Sequence, residues 1–294
     1  SDQNINFSNA VSTISDGDWS SPSIWSGGVV PDASDDVVVN HTVYIDIQGA
    51  NSGDIVDLCR NIKVAQDGVL RLGHDTDNFN KELRINGSIV CNGTFSAGRV
   101  DPGNNAGTGE IYTYNANINL SLSGSETAYI SGSGFFNPKD IKITSSTADK
   151  NLIVDIYNMI TDGNFVVKSN NRVHVEITKY AYLNIKGVLG LTGSTYQWSS
   201  ATAKADLVVH GVVLANDVSL FTKNATSGEG SSITIKDKGS LTVGKINNAN
   251  LNKKTEAAGY TLTIDQGGLF KLGEEINFYN LTFLFINFLF DLKI

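Results

Sequence analysis

Arg172, His174 and Glu176 are the residues of this chain whose types and spacing are best suited to chemistry. They occupy alternate positions in the segment NRVHVEITK, residues 171–179, with Val or Ile between them. Because successive side chains of a strand point to opposite faces, the three polar side chains share the outward face. Imidazole titrates near neutral pH and a carboxyl group can give or take a proton, so the strand could hold an acid–base pair. The alternative is an ordinary solvated strand face, and no catalytic residue is assigned.

Aromatic side chains would complete this group as a sugar-binding surface. A repeat step of 24 residues, from Gly163 to Gly187, predicts that the next coil places Tyr196 beside Arg172 and Trp198 beside His174. An aromatic ring stacks on the CH groups of a pyranose while charged groups bond its hydroxyls. The sequence therefore predicts a glycan site formed by the residues Arg172, His174, Glu176, Tyr196 and Trp198.

A cluster of aspartates is the one candidate for a metal site. It comprises Asp16, Asp18, Asp32, Asp35 and Asp36. Calcium needs six or more oxygen ligands, and the sequence pattern of a calcium-binding loop is absent here. We expect these residues to form turns, with calcium as the alternative and no other cofactor. The sequence also contains no Ser-His-Asp motif, phosphate-binding loop or zinc spacing.

The two cysteines, Cys59 and Cys91, are too few for a disulfide scaffold. A repeat step of 25 residues places Cys91 against position 66, seven residues beyond Cys59. Seven residues of strand span about 23 Å, whereas a disulfide needs Cα atoms within about 7 Å. We expect two free and largely buried thiols.

The composition restricts the partners of the protein. Of its 294 residues 18% are charged, and 22 basic residues against 30 acidic ones give a net charge of −8. Nucleic-acid-binding proteins usually carry a basic patch, so no nucleic-acid partner is expected. The apolar run Leu281–Phe290 is shorter than the ~20 residues of a membrane-spanning helix, so no membrane insertion is expected.

A recurring glycine phrase indicates the fold. A glycine followed by a short apolar pair occurs at Gly68, Gly93, Gly134, Gly163, Gly187, Gly211, Gly239 and Gly268, the marker glycines. Their separations are 25, 41, 29, 24, 24, 28 and 29 residues, and the long one contains the predicted insertion Arg99–Glu110. Such a period is typical of a solenoid. The sequence predicts an all-β, single-stranded, right-handed parallel β-helix of about 8–10 coils. A β-sandwich is the alternative, disfavoured by the regular spacing and the absence of hairpin dipeptides.

Both ends of such a stack need cover, because they expose unpaired strand edges. The segment Asp16–Asn40 stands where the first edge would lie, and we expect residues 1–40 to form a cap on a β-helix of residues 41–294. The expected cap residues are Trp19, Pro22, Trp25, Gly27, Gly28 and Pro31. The aromatic C-terminal run is either the last coil with its cover or the cut end of a longer chain.

The same segment carries a resemblance. Its Trp–Pro–Trp–Gly–Gly–Pro–Asp spacing, followed by GVLRLG and NGTFSAG, resembles the opening of G8 domains and the β-helical modules of secreted surface proteins of Bacteroidetes-type bacteria. The likeness covers Asp16–Gly98, about a third of the chain. It implies an extracellular parallel β-helix of a kind found in proteins that bind or process glycans, and it carries over no catalytic residue.

Three functions are compatible with these features. The first is a non-catalytic extracellular module that binds glycans or contributes to adhesion. The second is a polysaccharide lyase or glycoside hydrolase with its site near Arg172–Glu176. The third is a structural spacer that carries other domains of a larger surface protein.

Overall fold

The chain folds into a parallel β-solenoid, seen here in a computed structural model. The structure describes residues 5–46, 55–72, 80–96, 115–123, 127–145, 148–169, 171–191, 204–219, 231–246, 260–276 and 281–285. Within these ranges the regular structure is β-strand apart from a single 3-10 turn, Pro22–Ile24. The strands are β1 (Val11–Ser12), β2 (Gly17–Asp18), β3 (Asp36–Val39), β4 (Thr42–Ile45), β5 (Ile55–Cys59), β6 (Asn61–Val64), β7 (Val69–Leu72), β8 (Asn80–Ile85), β9 (Ile89–Cys91), β10 (Thr94–Ser96), β11 (Asn115–Ser121), β12 (Thr127–Asn137), β13 (Asp140–Thr144), β14 (Lys150–Thr161), β15 (Phe165–Val167), β16 (Arg172–Ile177), β17 (Tyr182–Gly190), β18 (Lys204–Val209), β19 (Val212–Ser219), β20 (Ser232–Ile235), β21 (Ser240–Ile246), β22 (Tyr260–Ile264), β23 (Leu269–Ile276) and β24 (Leu281–Phe285).

Each coil contributes strands to three parallel faces, and several long strands bend from one face to the next. The first face contains β1, β3, β6, β9, the first parts of β12 and β14, β16, β18, β20, β22 and β24. The second contains β2, β4, β7, β10, the second parts of β12 and β14, and the first parts of β17, β19, β21 and β23. The third contains β5, β8, β11, β13, β15 and the last parts of β17, β19, β21 and β23. The faces thus carry eleven, ten and nine rungs in the described ranges, in keeping with the all-β parallel solenoid that the sequence predicts.

Columns of apolar side chains hold the coils together. On the first face one unbroken register joins Val11, Val37, Ile62, Ile89, Ile130, Val154, Ile177, Val209, Ile235, Ile264 and Phe285. The side chains from Val37 to Ile264 in this column are all buried. Each burial contributes roughly 1.5–3 kcal/mol, so this column is one of several that together oppose the chain entropy lost on folding.

Seven pairs of apolar residues alternate with other residues along the sequence, a pattern that predicts inward-facing strand positions. All seven pairs are buried, as predicted, but they do not stack as one position repeated in every coil. The pairs are Ile62/Val64, Leu83/Ile85, Ile141/Ile143, Leu183/Ile185, Leu207/Val209, Ile233/Ile235 and Leu262/Ile264, all of them in the core. The glycine phrase suggests one equivalent position per coil, whereas the register divides these pairs among all three faces. The reason is that the phrase occurs at two different corners of the coil. Gly68 lies between the first and second faces, and Gly163 lies between the second and third.

The marker glycines are required by the close approach of neighbouring coils. A Cβ atom on Gly68 would lie 2.1 Å from the carbonyl oxygen of Val39, and one on Gly134 would lie 2.0 Å from that of Gly93. Neither glycine has a φ in the left-handed region, so an unusual backbone conformation is not the reason for glycine here. These corners need glycine because there is no room for a side chain.

The segment of two tryptophans lies at the first end of the stack. Trp19 and Trp25 are 2% and 1% exposed, and their rings meet edge to face with centroids 4.8 Å apart. The indole Nε1 of Trp25 donates to the carbonyl oxygen of Trp19 over 2.8 Å, which satisfies a buried donor. Pro22 begins the 3-10 turn, and Pro31 is buried. Both indoles therefore belong to the core, as a cap requires.

Residues 1–40 and the rest of the chain share the same ladders. Val11 pairs with Val37 on the first face, and Gly17 pairs with Val43 on the second. The first rungs of the solenoid thus lie inside the segment expected to be a cap. Gly27 and Gly28 are exposed in the following turn with φ of 92° and 69°, a region that favours glycine.

Both cysteines are buried and free, as the sequence predicts. Cys91 pairs with Val64, two residues from the position that the repeat step gives, and this register leaves Cys59 five residues away along the neighbouring coil. The Cys91 thiol points to the carbonyl oxygen of Phe135, with a sulfur–oxygen distance of 3.3 Å. Burial raises the pKa of Cys91 to about 12 and also raises that of Cys59, so both side chains are neutral thiols at physiological pH.

Candidate functional site

The strand β16 presents its polar side chains outward, as its alternating sequence predicts. Val173, Val175 and Ile177 are buried in the core. The side chains of His174 and Glu176 between them are 50% and 51% exposed. The period of two residues thus fixes which groups of this strand meet solvent.

Asp206 on the next strand organises these side chains. It pairs directly with His174 across the ladder between β16 and β18. Arg172 Nη1 donates to both carboxylate oxygens of Asp206 at 2.8 Å, and His174 Nδ1 lies 3.0 Å from Oδ2. Ser232 on the following coil donates its hydroxyl to Oδ1 at 2.8 Å. Four side chains from three consecutive coils, Arg172, His174, Asp206 and Ser232, therefore form one group, which we call the Asp206 cluster.

A second histidine stands beside Glu176. His210 Nε2 lies 3.7 Å from Glu176 Oε1, a separation at which the two groups attract when the imidazole is protonated. Among the described residues, Glu176 has no arginine partner of the kind that Asp206 has in Arg172, and half of its side chain meets solvent. Its carboxylate can accept hydrogen bonds from a ligand hydroxyl.

The prediction that Tyr196 and Trp198 lie beside this group must be corrected. Tyr196 and Trp198 lie outside the described residues, but the register that placed them beside Arg172 and His174 is wrong. Those ladder positions are taken by Lys204 and Asp206. The step from His174 to its neighbour is 32 residues and not 24, because the coil that includes residues 192–203 is longer than the one from which the step was measured.

Two exposed tyrosines that the sequence reasoning missed stand near the same strand. Tyr157 and Tyr180 are 71% and 65% exposed. Val154 and Ile177 are ladder partners, and each tyrosine follows its partner residue by three positions. They therefore occupy the same corner, between the first and second faces, in consecutive coils. The corresponding signal in the sequence is an aromatic residue three positions after an inward apolar residue, Val154 or Ile177, in each of two successive coils.

The ring of Tyr180 is held by its neighbour in the chain. Lys179 Nζ lies over this ring, 4.7 Å from its centroid, which is a favourable cation–π geometry. The contact covers one face of the ring and restricts its orientation. An exposed aromatic ring of restricted orientation is a suitable platform for an apolar ligand surface.

The Asp206 cluster also permits a form of proton chemistry. When Asp206 accepts from Nδ1 of His174, the neutral imidazole carries its lone pair on Nε2, which can take a proton. Asp206 accepts hydrogen bonds from Arg172 and Ser232, so both of its oxygens are already engaged.

The aspartates near the tryptophan segment act as turn and inter-coil acceptors. Asp16 accepts from the backbone N–H of Thr42 at 2.8 Å, and Asp32 accepts from that of Ser34 at 2.8 Å. Among the residues that the structure describes, no group of three or more His, Cys, Asp or Glu is placed to hold a metal ion.

Asp36 ties two coils together through a two-point contact with Arg60. The Nε and Nη2 atoms of Arg60 donate to its two oxygens at 2.8 and 2.6 Å, and Asn61 Nδ2 donates to Oδ1 at 2.8 Å. Partial burial raises the pKa of Asp36, but the bonds from Arg60 and Asn61 together outweigh it. The pKa is therefore lower than usual.

Comparisons with protein-family models, curated proteins and solved structures find no match to this chain. In the described part of the chain, no helix is long and apolar enough to span a membrane.

Proposed function

We propose that this protein is a non-catalytic, extracellular module that binds glycans through the outward surface of β16 and the corner that follows it. The observation that carries the proposal is the position of Tyr180. This exposed ring stands three residues after Ile177, the last residue of the strand that presents His174 and Glu176. Four residues of extended chain span about 13 Å at most, so Glu176 and Tyr180 lie within reach of one short oligosaccharide.

The chemistry of these groups suits a sugar. The free face of an aromatic ring packs against pyranose CH groups, while the Glu176 carboxylate and the His174 imidazole bond the hydroxyls. The Asp206 cluster supports this surface because it fixes Arg172 and His174 from the neighbouring coil. A site whose side chains are already ordered loses less entropy when it binds.

The resemblance of Asp16–Gly98 to G8 domains supports an extracellular setting. The net charge of −8 agrees with a ligand other than nucleic acid. An adhesion role would use the same surface against a glycan-coated cell.

The test is a binding titration against a panel of neutral and acidic polysaccharides, with Tyr180→Ala and Tyr180→Phe. We expect the alanine variant to bind about tenfold more weakly, and the phenylalanine variant to stay close to the wild type. Ile14→Ala is a matched control, because Ile14 is also exposed but lies at the first end of the stack, just before the tryptophan segment. Equal affinity of the wild type and Tyr180→Ala would contradict this site, and no binding across the panel would favour the structural spacer.

A polysaccharide lyase or glycoside hydrolase is the second candidate, favoured by the contact of His174 with Asp206. That contact leaves Nε2 of His174 as a proton acceptor at the surface. Against this candidate, hydrolysis needs two carboxyl groups free to act at the glycosidic bond, and Asp206 is engaged by three side chains. New reducing ends or unsaturated products that disappear in His174→Ala would replace the binding proposal with an enzymatic one.

A further inference from the structure

The two exposed tyrosines lie at the same corner of consecutive coils, and the corner that holds Tyr180 is one residue longer, because Met159 pairs with Leu183 beyond it. Val154 pairs with Ile177, and Tyr157 and Tyr180 each follow by three residues. Adjacent rungs of a parallel sheet lie about 4.8 Å apart. The two tyrosines therefore belong to neighbouring coils at one corner, and the step between coils is close to the length of one sugar unit.

Their exposure is unusual for this protein. Tyr157 and Tyr180 are among the few large apolar side chains in the described ranges that are more than 60% exposed. Exposed aromatic residues at the same corner of two successive coils form a ladder of the kind that a long ligand can follow. The tyrosine ladder, Tyr157 and Tyr180, continues the surface of β16 by one coil.

The charges near the ladder favour a neutral ligand. Three cations near the site are engaged: Arg172 is bound by Asp206, Lys186 Nζ lies 2.5 Å from Asp162 Oδ1, and Lys179 Nζ lies over the Tyr180 ring. The carboxylate of Glu176 stays half exposed, and the chain as a whole carries a net charge of −8. A uronic-acid or sulfated polymer would meet this exposed carboxylate and a protein of its own net sign.

We propose that the ligand is an extended neutral polysaccharide whose chain runs parallel to the solenoid axis across the tyrosine ladder, with consecutive sugar units on Tyr180 and Tyr157. This inference rests on the proposed function, and it adds the class of the glycan, its direction and a second binding residue. Tyr180 contributes the subsite next to Glu176, and Tyr157 contributes a subsite one coil away that only longer chains reach.

The experiment measures dissociation constants for neutral gluco-, manno- and xylo-oligosaccharides from dimer to hexamer, with polygalacturonate and chondroitin sulfate as acidic probes. For the hexamer that binds best, we expect Tyr157→Ala to weaken binding about tenfold. The same variant should leave the affinity for the corresponding dimer unchanged, whereas Tyr180→Ala should weaken both. Tyr157→Phe, which keeps the ring, should restore the wild-type affinity.

The outcomes separate this inference from the function on which it rests. If no glycan binds the wild type, both fail. If a neutral glycan binds and Tyr180→Ala weakens it while Tyr157→Ala changes nothing at any length, the glycan-binding function stands and the ladder is wrong. Tighter binding of the acidic probes would overturn the assignment of a neutral ligand. Unchanged unfolding midpoints of both alanine variants show that the effects arise at the surface.

Discussion

His174 and Asp206 are direct partners in adjacent parallel strands, with Nδ1 of the imidazole 3.0 Å from Oδ2 of the carboxylate. Arg172 Nη1 donates to both oxygens of the same carboxylate. Asp206 is thus a shared acceptor that joins two side chains of one coil to the next. Its replacement should disturb all of these contacts together.

Asp206→Asn should lower the free energy of unfolding by about 1–2 kcal/mol, because an amide group removes the charge and turns one acceptor into a donor. The matched control is Asp162→Asn, since Asp162 also pairs with a cation of the next coil, Lys186, but is more exposed. We expect that control to cost less than about 1 kcal/mol. Denaturant unfolding measures both values, and equal losses would show that the cluster adds nothing to an ordinary inter-coil ion pair.

Trp25→Ala should destabilise the protein by about 3–5 kcal/mol, because it leaves a large cavity at the first end of the stack. It also removes the bond from Nε1 to the carbonyl oxygen of Trp19. Val29→Ala, at a side chain that is 69% exposed nearby, should have little effect. Unfolding and light scattering follow stability and aggregation. A stable Trp25→Ala protein with impaired glycan binding would contradict a capping role.

Gly68→Ala should be strongly destabilising, because its new Cβ would collide with the carbonyl oxygen of Val39. Backbone atoms of two coils would have to move apart, and the ladder bonds beside them would lengthen. Gly190→Ala is the control, since the three atoms nearest to its Cβ all belong to the side chain of Val166, the closest at 3.3 Å. The unfolding midpoint should fall far more in the first variant than in the second. Similar midpoints would show that close approach of the coils is not what selects glycine.

Neither cysteine should react with a thiol reagent in the native protein at pH 8. Both are buried, and burial raises the pKa of Cys91 to about 12, so the reactive thiolate is scarce. Two thiols per chain should react once the protein is unfolded in denaturant. The number of reacted thiols is measured from the absorbance of the chromophore that the thiol reagent releases. Rapid reaction of one thiol under native conditions would place a cysteine at the surface.

The contact of Asp36 with Arg60 should make stability depend on acid pH. The folded-state pKa of Asp36 is lower than its unfolded value, so its contribution is fully present above the unfolded pKa and is lost as pH falls through the folded one. Because Arg60 is largely exposed, we expect a contribution of only about 1 kcal/mol or less. In Asp36→Asn, the free energy of unfolding should depend less steeply on pH below pH 4 than it does in the wild type. An unchanged curve would contradict this coupling.

Much of the architecture could be predicted because it repeats. The glycine phrase indicated a solenoid, and the buried pairs such as Ile62 and Val64 were identified from their alternation. The corners could not be told apart, because Gly68 and Gly163 follow similar apolar residues at different corners. The tyrosine ladder was missed for the same reason, since its two rings are recognised as neighbours only when Val154 and Ile177 are known to pair.

For the candidate site, the sequence by itself determined that Arg172, His174 and Glu176 face away from the core. The direction of a side chain in a strand is a local property of the pleated backbone, so a few alternating residues are enough to define it. The tertiary structure alone decided that Asp206 stands beside His174. Neighbours in adjacent coils are set by the full length of chain between them, and this coil is 32 residues long where the repeat suggested 24.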